Sequence, residues 1–175
     1  MVKGARTRRL VVARHAKSDW PVGVADTERP LGRRGLRDAA AAGAWLAGHA
    51  ARPDLVWCSP ARRTRQTWDG LDAGLGPGAG PDVRFDERVY QGTLDDLLSV
   101  LHDTPASSTC VLLVGHNPGV QELVMSLAER GSEDARALAA AKFPTSALAV
   151  LDLESAWADA GPGCGLLSSF AVPRG

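Results

Sequence analysis

A chain of 175 residues is long enough for one domain with a substantial hydrophobic core. Its 20 basic residues balance 20 acidic ones, which argues against a nucleic-acid partner or a membrane surface. No apolar run reaches the roughly 18 residues of a membrane span, and three cysteines (Cys58, Cys110, Cys164) without a CxxC pair build no disulfide framework.

The basic start, Lys3, Arg6, Arg8 and Arg9, lacks the apolar stretch of a signal peptide and reads as a solvated arm. The expectation is a cytoplasmic protein, with an arm over 1–8 and one domain over 9–175. The first apolar run, Leu10 to Ala13, suits a strand buried in a parallel sheet. It ends on Arg14-His15 and is followed by turn-rich Asp19 to Gly23. Leu36, Ala39, Ala40, Gly43, Leu46 and Ala47 then recur at helical spacing, and Gly48 closes that helix. Leu55 to Cys58 is a second strand. Ser59-Pro60 reads as the start of the next helix, Ser as N-cap and Pro at the first helical position, with Thr64, Trp68, Leu71 and Leu75 facing inward.

The loop from Gly76 to Pro81 is rich in glycine, but it lacks the Lys-Ser/Thr of a phosphate-binding loop. Val83 to Phe85 is a strand or an extended link. Thr93 caps a helix with a Leu94, Leu97, Leu98 and Leu101 stripe. Thr109 to Val114 is too apolar to face water and runs into Gly115-His116-Asn117-Pro118-Gly119, where Asn117 again reads as an N-cap. Val120, Leu123, Val124 and Leu127 bury the helix after it. An Ala-rich helix over 132–142 and two strands over 147–153 and 166–172, paired like a hairpin at one side of the sheet, complete the chain. Alternating strands and helices predict an α/β fold: a single-domain, doubly wound α/β sandwich with a mostly parallel sheet.

Three strands thus end in polar residues: Arg14-His15, Ser59 with Arg63 one turn on, and Gly115-His116. In open α/β sheets, ligands bind at the carboxyl ends of strands. Neighbouring parallel strands would gather two guanidinium groups, two imidazoles and two helix N-termini at one rim, a demand for concentrated negative charge such as a phosphoryl group. Taken singly, His15 fits a strand-end surface histidine, His116 a turn residue and Arg63 a solvated helix face. His49 and His102 read as helix-terminus residues. No HxH, HExxH or Cys/His spacing supports a metal site.

Arg14-His15-Ala16-Lys17-Ser18, the stretch from Ser59 to Thr67, and Gly115-His116-Asn117-Pro118-Gly119 resemble the signature segments of the histidine phosphatase superfamily, with the phosphoglycerate mutase-like fold. The resemblance is to its small SixA-type phosphohistidine phosphatases, and Asp26 with Arg29-Pro30-Leu31, Pro144 to Leu151 and Trp157 extend it over nearly the whole chain. The family's SPLxRAxQT pattern puts its arginine on Arg63 rather than Arg62. This sequence departs from it with Ala61 for Leu and Thr64 for Ala, and Gly32 stands where a Thr helix cap is common.

The resemblance implies His15 as nucleophile, with Arg14, Arg63 and His116 lining the phosphate pocket and Ser18 and Asn117 completing the substrate contacts. Glu87, in a segment similar to the one that carries the proton donor of mutases and ester phosphatases, would protonate an alkoxide. No metal or other cofactor is implied. Short connections imply little or no cap, hence an open site suited to phosphohistidine on a protein, with a small phosphomonoester as the alternative. The alternative of another class is a module that binds phosphate or phosphoprotein without turning it over. The expected molecule is a monomer without nucleic-acid or membrane partners.

Overall fold

The structure, a computed structural model, describes residues 7–50, 52–78 and 80–175. Its elements are β1 (Arg8–Arg14), α1 (Arg33–His49), β2 (Leu55–Cys58), α2 (Arg62–Leu75), β3 (Asp82–Phe85), α3 (Leu94–His102), β4 (Cys110–Gly115), α4 (Gly119–Leu127), β5 (Ala128–Gly131), α5 (Glu133–Ala141), β6 (Leu148–Leu153) and β7 (Gly165–Ala171). The seven strands form one sheet in the order β3-β2-β4-β1-β6-β7-β5. Only β6 runs against its neighbours, β1 and β7; the other pairings are parallel. The expected α/β class and mostly parallel sheet are therefore present.

Alternation along the strands sorts the core into two layers. Leu10 and Val12 of β1 and Val111 and Leu113 of β4 pack with the buried faces of α3 and α4. Val11, Ala13, Leu112 and Val114 point the other way, toward Ala42 and Leu46 of α1 and Trp68 and Leu71 of α2. All of β4 is buried, which explains its unbroken apolar sequence. Each such Leu or Val contributes about 1.5–3 kcal/mol by leaving water.

Helices α1 and α2 lie in direct backbone contact, because a Cβ on Gly43 would collide with the Leu71 carbonyl and one on Gly74 with the Ala40 carbonyl. The buried stripe of α1 is rotated from the one expected: Gly35, Asp38, Ala39, Ala42, Gly43 and Leu46 are inside, and Leu36, Ala40 and Ala47 are exposed. The rotation follows from Asp38, only 1% exposed, which accepts hydrogen bonds from Arg34 (3.3 Å), Arg174 (2.9 Å) and the Gly175 N–H (3.2 Å). Helix α1 also runs past Gly48 to His49.

Of the basic arm, Lys3 and Arg6 lie outside the described residues. Arg8 and Arg9 belong to β1 instead, and Arg9 pairs with Asp152 at 2.8 Å. The segment 83–85 is a strand, parallel to β2 at the sheet edge. The final pair β6–β7 is antiparallel as expected, with β5 added outside it. No helix among the described residues is long and apolar enough to cross a membrane.

Candidate active site

The carboxyl ends of β2, β4 and β1 are adjacent and parallel, with Cys58 beside Val114 and Gly115 beside Arg14. The residues just beyond continue the ladder: Ser59 N–H donates to the Val114 carbonyl (3.1 Å) and His15 N–H to that of Gly115 (3.0 Å). His15 and His116 therefore emerge side by side, ring centroids 5.1 Å apart, at 9% and 7% exposure.

The His15 ring is oriented from behind. Its Nδ1 lies 2.7 Å from the Ala16 carbonyl, an acceptor, so Nδ1 carries the proton and the lone pair resides on Nε2. The Ala16 N–H is itself fixed by the Thr67 hydroxyl (2.9 Å), and the His15 carbonyl accepts from the N–H of Ser146 (3.2 Å). Burial first, then the charges of Arg63, Arg14 and Arg29, push the His15 pKa down to about 4. The ring is neutral at pH 7, the form required for attack.

His116 is bonded at both nitrogens. Arg63 donates to Nδ1 (3.3 Å), which leaves the proton on Nε2, directed to the Ser59 hydroxyl (2.8 Å). Its pKa falls to about 3, from burial and then from the neighbouring His15 and Arg63. Arg63, 4% exposed, also donates to both the carbonyl (2.6 Å) and the carboxylate (3.0 Å) of Asp26. Arg62 and Arg65 are exposed, so the register of the segment is the one that buries Arg63.

Asp26 lies in a short 3-10 turn, 26–28, on the 18-residue connection from β1 to α1. Its carboxylate also accepts from the Tyr90 hydroxyl (2.7 Å) and from Arg29 (3.0 Å), and these bonds, Tyr90's foremost, hold its pKa well below the usual carboxylate range. Tyr90 in turn meets His116 edge-on at 5.4 Å. Sequence reasoning quoted Asp26 only as part of a resemblance and gave Tyr90 and Thr67 no role; their contacts span 37 to 64 residues and leave no local signal.

The other expected residues divide. Arg14 donates to the Phe143 carbonyl (2.9 Å), and its charge acts on both histidines. The Nε atoms of Arg14 and Arg63 are buried without a partner among the described residues, unused donors suited to an anion. The Ser18 hydroxyl accepts from Arg29 (2.7 Å) and so supports the Asp26 connection from behind. The Asn117 amide donates to Phe143 (3.2 Å) and Gln121 (3.3 Å). Asn117 caps no helix: α4 begins at Gly119 with Pro118 as N-cap, and Asn117–Pro118 is cis. Likewise α2 begins at Arg62 with Ala61 as N-cap, and Ser59 serves His116 instead. Gly32 caps α1 without a side chain; a Cβ there would collide with the Asp19 carboxylate.

Glu87 sits in a second 3-10 turn, 87–89, exposed, its carboxylate without a hydrogen bond or ion pair among the described residues. The same segment instead brings Gln91 and Gly92 to a cleft of about 460 Å³ that opens on His116. Cys58, nearby on β2, is no rival nucleophile, because burial pushes its thiol up to about 12. Among the described residues no three His, Cys, Asp or Glu side chains gather to hold a metal. What the rim can do is hold a tetrahedral oxyanion against guanidinium groups with a neutral imidazole nitrogen beside it.

Comparison with known proteins agrees. Residues 10–99 match the model of the histidine phosphatase superfamily, branch 1. The uncharacterized protein Rv1276c of Mycobacterium tuberculosis is 40% identical over 92% of this chain and 99% of its own. Among solved structures, the SixA-type protein of Nakamurella multipartitia is 33% identical (95% of this chain, 96% of that one) with a TM-score of 0.84. That of Agrobacterium tumefaciens is 30% identical (95% and 98%) with a TM-score of 0.79. With a neutral histidine and a buried arginine at the rim where the matched segments place them, the chain belongs to the histidine phosphatase superfamily.

Proposed function

We propose that this protein is a phosphatase that takes a phosphoryl group onto Nε2 of His15 and passes it to water, and that its principal substrate is phosphohistidine on a protein. The observation that carries the reading is the Nε2 of a neutral His15, without a hydrogen-bond partner among the described residues, beside Arg14 and Arg63. In the first step the bond from phosphorus to the leaving atom breaks as the Nε2–P bond forms. In the second, water attacks phosphorus, the electron pair returns to Nε2, and inorganic phosphate leaves. Arg14 and Arg63 offset the charge on the equatorial oxygens, joined by the Nε2–H of His116 once it exchanges the Ser59 hydroxyl for a phosphoryl oxygen, the task a metal performs elsewhere.

Two supports favour phosphohistidine. The SixA-type relatives from N. multipartitia and A. tumefaciens are provisionally named phosphohistidine phosphatases. The exposed, unpartnered Glu87 offers no positioned acid for an alkoxide, whereas a P–N bond needs less help. A small phosphomonoester is the second reading, supported by the cleft beside His116. We take the enzyme to act as a cytoplasmic monomer without a metal. The test is turnover of a phosphohistidine-bearing carrier protein against a small phosphomonoester, with EDTA present and with trapping of an acid-labile, base-stable phosphoenzyme. Label and faster turnover of the carrier are expected. Binding without label would make the protein a phosphate-binding module.

A further inference from the structure

The cleft that opens on His116 has walls of opposite origin: Gln91, Gly92 and Thr93 on one side, Pro118, Gly119 and Glu122 from the start of α4 on the other. The walls are fixed to each other, because Gly119 packs so closely that a Cβ would come within 2.5 Å of the Gly92 carbonyl. Gln91 holds its place with φ at 55°, the left-handed region that few non-glycine residues occupy.

The charge pattern of this cleft is the reverse of the phosphate cup. Among the described residues that line it, Glu122 is the only formally charged side chain. The carboxylate is exposed and has no hydrogen bond or ion pair among the described residues, so it is available to a ligand. Around His15 and His116 the charges are those of Arg14, Arg29 and Arg63 against the one carboxylate of Asp26, which leaves a net cationic cup. A substrate spanning both would place its phosphoryl group among cations and its leaving group against an anion. A leaving group carrying a carboxylate would meet like charge there; one carrying an N–H would meet an acceptor. Gln91, a carboxamide, cannot supply a proton to an alkoxide.

Resting on the phosphatase reading above, we infer that Glu122 recognises the leaving group, and that the group it selects is an imidazole phosphorylated on one nitrogen and protonated on the other. Glu122 accepts the N–H of that ring. When Nε2 of His15 attacks phosphorus, the P–N bond breaks, its electron pair returns to the ring nitrogen, and the ring departs as neutral imidazole with its N–H in place. No further acid is consumed. The carboxylate favours the protonated ring, which is the form that leaves most readily.

The experiment uses the full chain and two probes: phosphoimidazole, and p-nitrophenyl phosphate, whose leaving group needs no proton. The quantity read is the ratio of the two kcat/KM values, with its pH dependence, in wild type, E122Q and E122K. The ratio should fall about fivefold in E122Q, as expected for one exposed charge, and by on the order of tenfold or more in E122K. The kcat profile of E122Q on phosphoimidazole, which reports the bound complex, should also shift toward acid relative to wild type. An unchanged ratio in both variants, or equal losses on both probes, overturns the proposal. So does a wild type that forms the phosphoenzyme from p-nitrophenyl phosphate but never turns over phosphoimidazole. A wild type that forms no phosphoenzyme from either probe sinks the phosphatase reading itself, a result distinct from any change in ratio.

Discussion

His15 and His116 occupy equivalent places, one residue beyond β1 and one beyond β4, on strands whose register pairs Arg14 with Gly115. Both are buried and both are kept neutral by that burial. They differ in one nitrogen. Among the described residues His116 is engaged at both, by Arg63 and Ser59, and His15 only at Nδ1, by a backbone carbonyl. A ring saturated with hydrogen bonds is an oriented donor; a ring with one nitrogen unbonded is a nucleophile. On the proposed reading, two histidines with similar surroundings take different tasks through their second partners rather than through their position.

The sharpest way to break this comparison is to remove each ring. His15→Ala should abolish the phosphoenzyme and lower kcat by about 10⁴ or more, the scale of losing an activated nucleophile; rapid quench and acid-stability assays check both. His116→Ala should still form the label, at a rate lower by about 10²–10³, the scale of losing one charge-stabilising donor. If the label were lost with His116 and kept with His15, the roles would be reversed.

A smaller effect sharpens the shared property. The free enzyme's acid limb in kcat/KM should lie near the depressed His15 value of about 4, rather than near the ordinary 6.5, once the substrate's own ionisation is divided out. The sign for stability follows. Below about pH 6.5 the unfolded chain binds protons at these histidines that the folded one refuses. Stability is therefore lost progressively as pH falls from about 6.5 toward about 4 at His15 and about 3 at His116. Thermal melts across that window should show His15→Ala gaining on wild type as the solution is acidified.

How much of this was legible in the sequence depended on locality. The buried strands announced themselves, because an unbroken apolar run such as Val111 to Val114 has few other uses. The gathering of Arg14, His15, Arg63 and His116 followed from strand ends alone. The misreadings came where tertiary partners outbid local propensity. Ser59 and Asn117 each precede a proline and look like helix caps, yet their side chains are taken by His116 and Phe143. Asp38 breaks an apolar stripe because Arg174, 136 residues away, neutralises it. β5, with Glu129 and Arg130 exposed, has no periodicity to recognise. Gln91, from the segment that carries Glu87, lines the cleft without any local signal for it.

One hydroxyl has a reach beyond its size. Thr67 Oγ1 accepts the Ala16 N–H while donating to the carbonyl of Arg63 (2.6 Å). The backbone beside the His15 ring and the backbone of Arg63 thereby share a single mount. Their mutual spacing is insulated from drift elsewhere in the long connection between them, and a methyl in place of that oxygen would leave each piece intact yet independently adrift.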